Sequence, residues 1–179
     1  MRRSFKFPDM FLYQDLYVWV EDRGRGVYRI GLTDFAQYEL DDVISITLPE
    51  EGIHVDKGEE IVSIDAIEDN YIIHSPISGR ILEVNDVLRQ SPELINESPY
   101  KEGWILEIEL AEEDDLDDLI DANEVSDLLQ EELHNRDYGE EYEEEYEEYE
   151  EYEDYEDYED YEDYEDYEDY EDYEDYDEY

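Results

Sequence analysis

The stretch from Ile61 to Gly79 constrains the fold more than any other part of the sequence. Two apolar runs rich in isoleucine, Ile61 to Ile64 and Tyr71 to Ile73, flank a polar turn at Glu68 to Asn70. β-Branched and aromatic residues favour strands, and aspartate and asparagine favour turns, so the stretch predicts a β-hairpin. A second turn follows at Ser75 to Gly79, where proline fixes φ and glycine can adopt positive φ. We expect function to be decided at the tip of the hairpin.

Further apolar runs with turn residues between them precede and follow this hairpin. They predict five more strands, at residues 16–20, 27–32, 43–48, 80–85 and 104–110. Thr33 is a suitable N-cap for a short helix over Phe35 to Leu40, and residues 86–97 are predicted to form a loop with one helical turn. Several short, closely spaced strands indicate a mainly β domain, a small sandwich or a barrel.

The apolar period changes after Glu112. The spacing of the later aliphatic residues is typical of one helix, or of two short helices broken near Ala122 and Asn123, packing on the sandwich. These residues are Leu116, Leu119, Ile120, Leu128, Leu129 and Leu133. The acidic residues at 112–115 suit the positive end of a helix dipole.

The C-terminal region has a composition that cannot build a core. Residues 137–179 contain 28 acidic residues, 14 tyrosines and one glycine, and they carry −28 of the formal net charge of −51. Tyrosine recurs at every third position from Tyr146 to Tyr179, a period that fits neither an α-helix nor a strand. We predict a disordered acidic tail. The predicted organisation is an N-terminal extension (1–15), a β-sandwich (16–110), a C-terminal helical segment (111–136) and the tail (137–179).

Composition excludes several functional classes. The chain has no cysteine, and its three histidines (His54, His74 and His134) show no metal-ligand spacing. The acidic balance argues against binding nucleic acid or an anionic membrane. No run approaches the roughly 18 to 20 apolar residues that span a bilayer, and the N-terminus lacks a signal-peptide pattern, so we expect a cytoplasmic protein. No nucleophile and base stand in a catalytic arrangement, so we expect no enzymatic activity.

Several short motifs, in order, carry a resemblance to a known family. From about Tyr17 to Leu129 the chain resembles the H protein of the glycine cleavage system. The matching pieces are Trp19-Val20, Gly31 to Gln37, Leu48-Pro49, Lys57-Gly58-Glu59, Ser75 to Gly79, Glu83 to Asn85, Pro92 to Asn96, Pro99-Tyr100, Gly103-Trp104 and Leu116 to Ile120. The resemblance implies a lipoyl/biotinyl-type β-sandwich. It also implies a lysine at a hairpin tip that carries lipoate by an amide bond and serves the partner enzymes of glycine cleavage.

The attachment position departs from the family pattern. That pattern reads Glu-Ser-Val-Lys-Ala, with the lysine seven positions before the serine of Ser-Pro-Val-Ser-Gly. Seven positions before Ser75 stands Glu68, in the stretch Asp65-Ala66-Ile67-Glu68-Asp69-Asn70. Glutamate has no amine and cannot form the amide, so no cofactor is expected here, although lipoate is the family's cofactor. The only lysines are Lys6, Lys57 and Lys101, and none lies in a comparable predicted hairpin.

Three functional hypotheses follow. The first is a non-lipoylated binding or regulatory module that docks on a glycine cleavage component or on a lipoate-attaching enzyme. The second is an interaction protein whose acidic tail binds a basic protein through carboxylate–arginine pairs and arginine–tyrosine stacking. The third is a conventional lipoyl carrier modified at an unexpected site. The alternative to all three is that the chain is a paralogue whose sequence changes without selection for a function.

Overall fold

A computed structural model describes residues 4–67 and 70–136 of the chain. These residues form nine strands: β1 (Leu12–Tyr13), β2 (Val18–Gly24), β3 (Val27–Leu32), β4 (Val43–Thr47), β5 (His54–Val55), β6 (Glu60–Ala66), β7 (Asn70–His74), β8 (Gly79–Val84) and β9 (Trp104–Leu110). They also form α1 (Asp34–Leu40), α2 (Leu94–Glu97) and α3 (residues 122–136), with 3₁₀ helices at Asp86–Arg89 and Glu113–Asp118.

The strands form two antiparallel sheets. The larger sheet has the order β1-β2-β3-β9-β8-β5, and the smaller has the order β4-β6-β7. Buried side chains of both sheets share one apolar core, with Ile30, Leu106 and Ile108 from the larger sheet and Ile46 and Ile64 from the smaller. The predicted mainly β sandwich with short helices and a C-terminal helix is confirmed.

Strand β4 departs from the simple alternation that its sequence indicates. Strict alternation would place Ile44 on the same face as Ile46 and Leu48. The pairing of β4 with β6 shifts register between Val43 and Ser45, which marks a bulge. As a result Val43, Ile46 and Leu48 are buried, whereas Ile44 is 61% exposed.

The fold begins upstream of Leu16, the residue at which the sequence indicates its start. Strand β1 pairs with β2, and the Tyr13 side chain is fully buried. Phe5 packs edge-on against Phe35 with 5.1 Å between ring centroids, and Phe7 packs against Tyr13 at 5.5 Å. These aromatic residues precede the β-branched runs and follow no strand pattern in the sequence, so only the tertiary structure shows that they belong to the core.

The C-terminal segment contains a 3₁₀ helix followed by an α-helix. The 3₁₀ helix ends at Asp118, and α3 begins after Asp121. The Asp121 carboxylate accepts hydrogen bonds from the backbone amides of Asn123 (2.8 Å) and Glu124 (3.0 Å), and the Glu124 carboxylate accepts one from the Asp121 amide (2.9 Å). This reciprocal capping fixes the start of α3 after Asp121. The structure therefore has the two helices of the predicted alternative, but the break lies at residues 119–121, whereas Ala122 and Asn123, the predicted break, belong to α3.

Helix α3 packs on a second apolar cluster beside the main core. Its residues Ala122, Val125 and Leu129 are buried in this cluster, together with Trp19 and Phe35. The helix therefore covers this cluster: Leu129 packs there as its spacing predicts, whereas Leu128, which the same spacing assigns to the apolar face, is 38% exposed.

Candidate functional site

The predicted hairpin is confirmed as the β6–β7 pair of the smaller sheet. The two strands run antiparallel, and Ile64 pairs with Tyr71 and Asp65 with Asn70. Two residues of the connection, Glu68 and Asp69, lie outside the described part of the chain, as does the predicted acidic tail. The role assigned to Glu68 therefore stays a prediction.

The residues before the tip are held by β4. The Ser45 hydroxyl donates a hydrogen bond of 2.6 Å to the Asp65 carboxylate, and the Ile67 amide donates one of 3.1 Å to the Asp42 carbonyl. The Ala66 side chain is buried, whereas Ile67 is 58% exposed. Strand β4 therefore positions the hairpin up to the residue that precedes Glu68 in the sequence.

Aromatic side chains attach the tip end of β7 to the residue that precedes β2 and to α1. Tyr71 stacks on Tyr17 with 5.3 Å between ring centroids, and Tyr17 in turn packs edge-on against Phe35 at 5.6 Å. Burial raises the pKa of Tyr71 above its ordinary value, and the charges of Asp15 and Tyr17 raise it further. The phenol is therefore neutral at physiological pH. The sequence gives no sign of this contact, because a stacking pair 54 positions apart has no local pattern.

The turn after the hairpin is buried and rigid. The Ser75 hydroxyl donates a 2.7 Å hydrogen bond to the Ile77 carbonyl, and the Ser75 carbonyl accepts one of 2.8 Å from the Gly58 amide. The Ser78 hydroxyl oxygen accepts a 3.0 Å bond from the Lys57 amide. The predicted turn at Ser75 to Gly79 thus joins the strand pair to the turn around Lys57.

The Lys57 ammonium is tied to the acidic 3₁₀ helix. Its Nζ lies 2.5 Å from an Asp118 carboxylate oxygen and donates a 3.2 Å hydrogen bond to the Asp115 carbonyl. The Asp115 carboxylate accepts a 2.6 Å bond from the Ser78 amide. Lys57 and Asp115 together hold the 3₁₀ helix against the buried turn.

Replacing Lys57 with methionine is expected to lower the free energy of unfolding by about 1 kcal/mol, because a half-buried, hydrogen-bonded charge is lost. The melting temperature should fall by about 4 °C. Calorimetry of the full chain checks this, with Lys101→Met as the control that removes the same charge. Equal shifts in the two variants would show that the loss is one of net charge.

The other two lysines lie away from the hairpin. Lys6 belongs to the N-terminal segment, where its backbone bonds to Asp34 and Tyr100. Lys101 lies in the turn between α2 and β9. Neither is placed at the tip of a strand pair.

Exposed aliphatic residues surround the hairpin. Ile44, Ile67 and Ile72 are 61%, 58% and 41% exposed. The exposed acidic residues Asp42 and Asp65 stand on the same strands or next to them. We call these five residues the hairpin surface.

Two other kinds of site have no counterpart among the described residues. No group of three histidine, cysteine or acidic side chains there could hold a metal ion. In the same part of the chain, no helix is both long enough and apolar enough to cross a membrane.

The fold agrees with comparisons against known proteins. Residues 11–132 match the family model for the glycine cleavage H-protein. The glycine cleavage system H protein of Chromohalobacter salexigens is 40% identical over 125 residues, covering 70% of this chain and 95% of that protein. That of Vibrio campbellii is 40% identical over 132 residues, covering 74% of this chain and all of that protein.

A solved structure shares the fold. The crystal structure of a glycine cleavage system H protein from Mycobacterium marinum matches with a TM-score of 0.59 and 26% identity. The match covers 67% of this chain and 96% of that one. The described sandwich therefore corresponds to nearly the whole of that protein.

Proposed function

The chain belongs to the glycine cleavage H-protein family, and we propose that it serves there as a binding or regulatory module without a lipoyl group. One observation carries the proposal. The family's sandwich and its β6–β7 hairpin are present, while the residue that the sequence places at the attachment position is Glu68. A role in docking needs the surface of the fold and no reaction by this chain.

The chemistry of lipoylation supports this proposal. An amide bond to lipoate requires a lysine amine, and Glu68 offers only a carboxylate. Lys57 is hydrogen-bonded to Asp115 and Asp118, so its ammonium would have to leave two acidic residues to react. These contacts disfavour modification of Lys57, and Lys6 and Lys101 lie away from the tip of any strand pair among the described residues.

The hairpin surface supplies the docking contacts in this proposal. Fully burying an isoleucine side chain contributes about 1.5 to 3 kcal/mol, so Ile44 and Ile67 could provide much of a modest affinity. Asp42 and Asp65 would pair with basic residues at the rim. The partners proposed are the glycine cleavage components and the lipoate-attaching enzymes, since these are the proteins that the family's hairpin meets.

Binding measurements against those purified partners test the proposal. The wild-type chain should bind at least one of them, and Ile67→Ser should weaken binding about tenfold because an exposed anchor is lost. Ile53→Ser is the matched control, since Ile53 is 40% exposed but precedes β5 in the larger sheet.

The H protein of Chromohalobacter salexigens provides the positive control. The proposal fails if that protein binds these partners under conditions in which this chain binds none. If Ile53→Ser and Ile67→Ser weaken binding equally, the hairpin surface is not the docking site.

A second candidate function belongs to the tail. The family match ends at residue 132, so residues 137–179, with their charge of −28, are an addition to the family's domain. They would bind a basic protein electrostatically. Repeating the binding measurements with residues 1–136 and at raised salt separates the candidates, because tail binding would be lost in both cases.

A further inference from the structure

A polar cavity lies on the domain beside α1 and α2, lined in part by residues upstream of the family match. It has a volume of about 500 Å³, and its lining includes Lys6, Asp34, Gln37, Ser98, Tyr100 and Lys101. Lys6 precedes residue 11, at which the match to the family begins. The cavity lining therefore includes a residue upstream of the matched region.

The segment upstream of the match is fixed on both sides of Lys6. Phe5 packs against Phe35 and against Tyr38, with ring centroids 5.1 and 5.3 Å apart, and Phe7 packs against Tyr13. Both phenylalanines are half-buried, whereas Lys6 between them is exposed. This alternation directs the phenylalanines to the domain and leaves the lysine side chain at the cavity.

Backbone bonds hold Lys6 against the cavity wall. The Lys6 amide donates a 3.1 Å hydrogen bond to the Asp34 carboxylate, and the Tyr100 hydroxyl donates one to the Lys6 carbonyl. The same hydroxyl accepts a 3.0 Å bond from the Asp34 amide. Because burial raises the pKa of Tyr100, its phenol keeps the proton that the bond to Lys6 needs. The wall is thus preorganised in the absence of a ligand.

The cavity lining carries two ammonium groups, of Lys6 and Lys101, and two carboxylates, of Asp34 and Glu97. No carboxylate of the described residues lies within 4.0 Å of the ammonium of Lys6 or Lys101, although the chain has 62 acidic residues. The Asp34 carboxylate already accepts bonds from the Lys6 amide and the Gln37 side chain. Among the lining residues, Glu97 supplies a second carboxylate, which opposes an anion. At 0.1 M salt charges act over only about 10 Å, so the arrangement of these four lining charges, and not the distant acidic residues, determines which ligands the cavity attracts.

We propose that this cavity binds a compact anion bearing a phosphate or carboxylate group, held by the ammonium groups of Lys6 and Lys101. The Ser98 hydroxyl lies in the same lining and adds a hydrogen-bond donor. This site is separate from the hairpin surface and does not depend on the proposed docking role.

Titration of the ¹⁵N-labelled full chain, followed by NMR, tests the proposal. Inorganic phosphate and succinate are added in separate experiments at constant ionic strength, with chloride replaced. The amides of Ser98, Tyr100 and Lys101 should shift in a saturable manner with at least one probe, and the stronger probe identifies the preferred group. Absence of saturable shifts with both probes would overturn the proposal.

Charge variants make the test specific. Lys6→Gln and Lys101→Gln should each weaken binding about threefold, in line with a partly exposed ion pair, and Glu97→Gln should strengthen it about twofold. Arg25→Gln is the matched control, because Arg25 is exposed, has no ion pair among the described residues and lies at the β2–β3 turn. An equal loss in Arg25→Gln would overturn the proposal, since it would show general attraction only. Unchanged melting temperatures confirm that the variants are folded.

Discussion

Gly79→Ala is expected to lower the free energy of unfolding by at least about 3 kcal/mol, the largest stability effect that we predict. Gly79 opens β8 and pairs with Val55 on one side and Leu110 on the other. A Cβ atom there would lie 2.2 Å from the Glu109 carbonyl oxygen and 2.5 Å from the Ile108 Cγ2 atom. The nearest obstacle is backbone, so a side-chain rotation cannot relieve the clash and β8 must move away from β9.

The consequence should reach the buried turn before β8. Separation of β8 from β9 would displace Ser78, whose carbonyl accepts the 2.9 Å bond from the Ala111 amide. Urea unfolding of the full chain, followed by tryptophan fluorescence, measures the loss. Gly58→Ala is the matched control, because its φ of +83° is strained for alanine but no atom lies within 4 Å of the new Cβ.

The control variant should lose only about 1 kcal/mol, the typical cost of placing alanine at positive φ. If Gly79→Ala costs no more than Gly58→Ala, the close approach of β8 and β9 is wrong. This comparison distinguishes steric contact from backbone strain, since only one variant introduces the clash.

Local patterns explain why most of the sandwich is predictable. Strands β3, β6 and β9 follow β-branched and aromatic runs with polar neighbours, and residues of the Ser75 to Gly79 turn have intrinsic turn preferences. The start of α3 depends on Asp121 and Glu124, three positions apart, which is also local information.

The remaining features depend on contacts that are distant in sequence. Three contacts join residues that are too far apart in sequence for any local pattern to include both partners. They are the Tyr17–Tyr71 stack, the Trp19 indole bond to the Pro99 carbonyl (3.1 Å) and the packing of Phe5 on Phe35. The bulge in β4 is a second feature that the sequence does not predict. Strict alternation would place Ile44 in the core, whereas the shifted register exposes it.

For the candidate site, too, one part of the argument depends on the sequence alone and another part depends on tertiary contacts. The chemical argument needs only residue identity, because glutamate cannot form an amide with lipoate. The hairpin surface needs tertiary structure, because Ile44 and Ile67 lie 23 positions apart and only the pairing of Val43 with Ala66 brings their strands side by side. The sequence therefore indicates what residue 68 cannot do, and the structure indicates which neighbours a partner could contact.

Glu68→Lys is expected to turn an unmodified chain into one that is lipoylated. The strands on either side of the attachment position are paired as a hairpin, and the Ser45 bond to Asp65 and the Ile67 bond to Asp42 fix the approach to the tip. Under our proposal, the variant supplies on this support the amine that lipoate attachment needs. Intact-mass measurement after co-expression with a lipoate-attaching enzyme should show one added lipoyl group on most of the variant and none on the wild type.

Glu68→Gln is the matched control, because it removes the same negative charge without supplying an amine, and it should stay unmodified. The H protein of Chromohalobacter salexigens shows that the enzyme is active. A lipoyl mass on the wild type, in this assay or on protein from its native host, would make the chain a conventional carrier and would refute our interpretation of Glu68. If Glu68→Lys stays unmodified while the Chromohalobacter protein is lipoylated, the loss extends beyond one residue, and the acidic neighbours Asp65 and Asp69 become the next positions to replace.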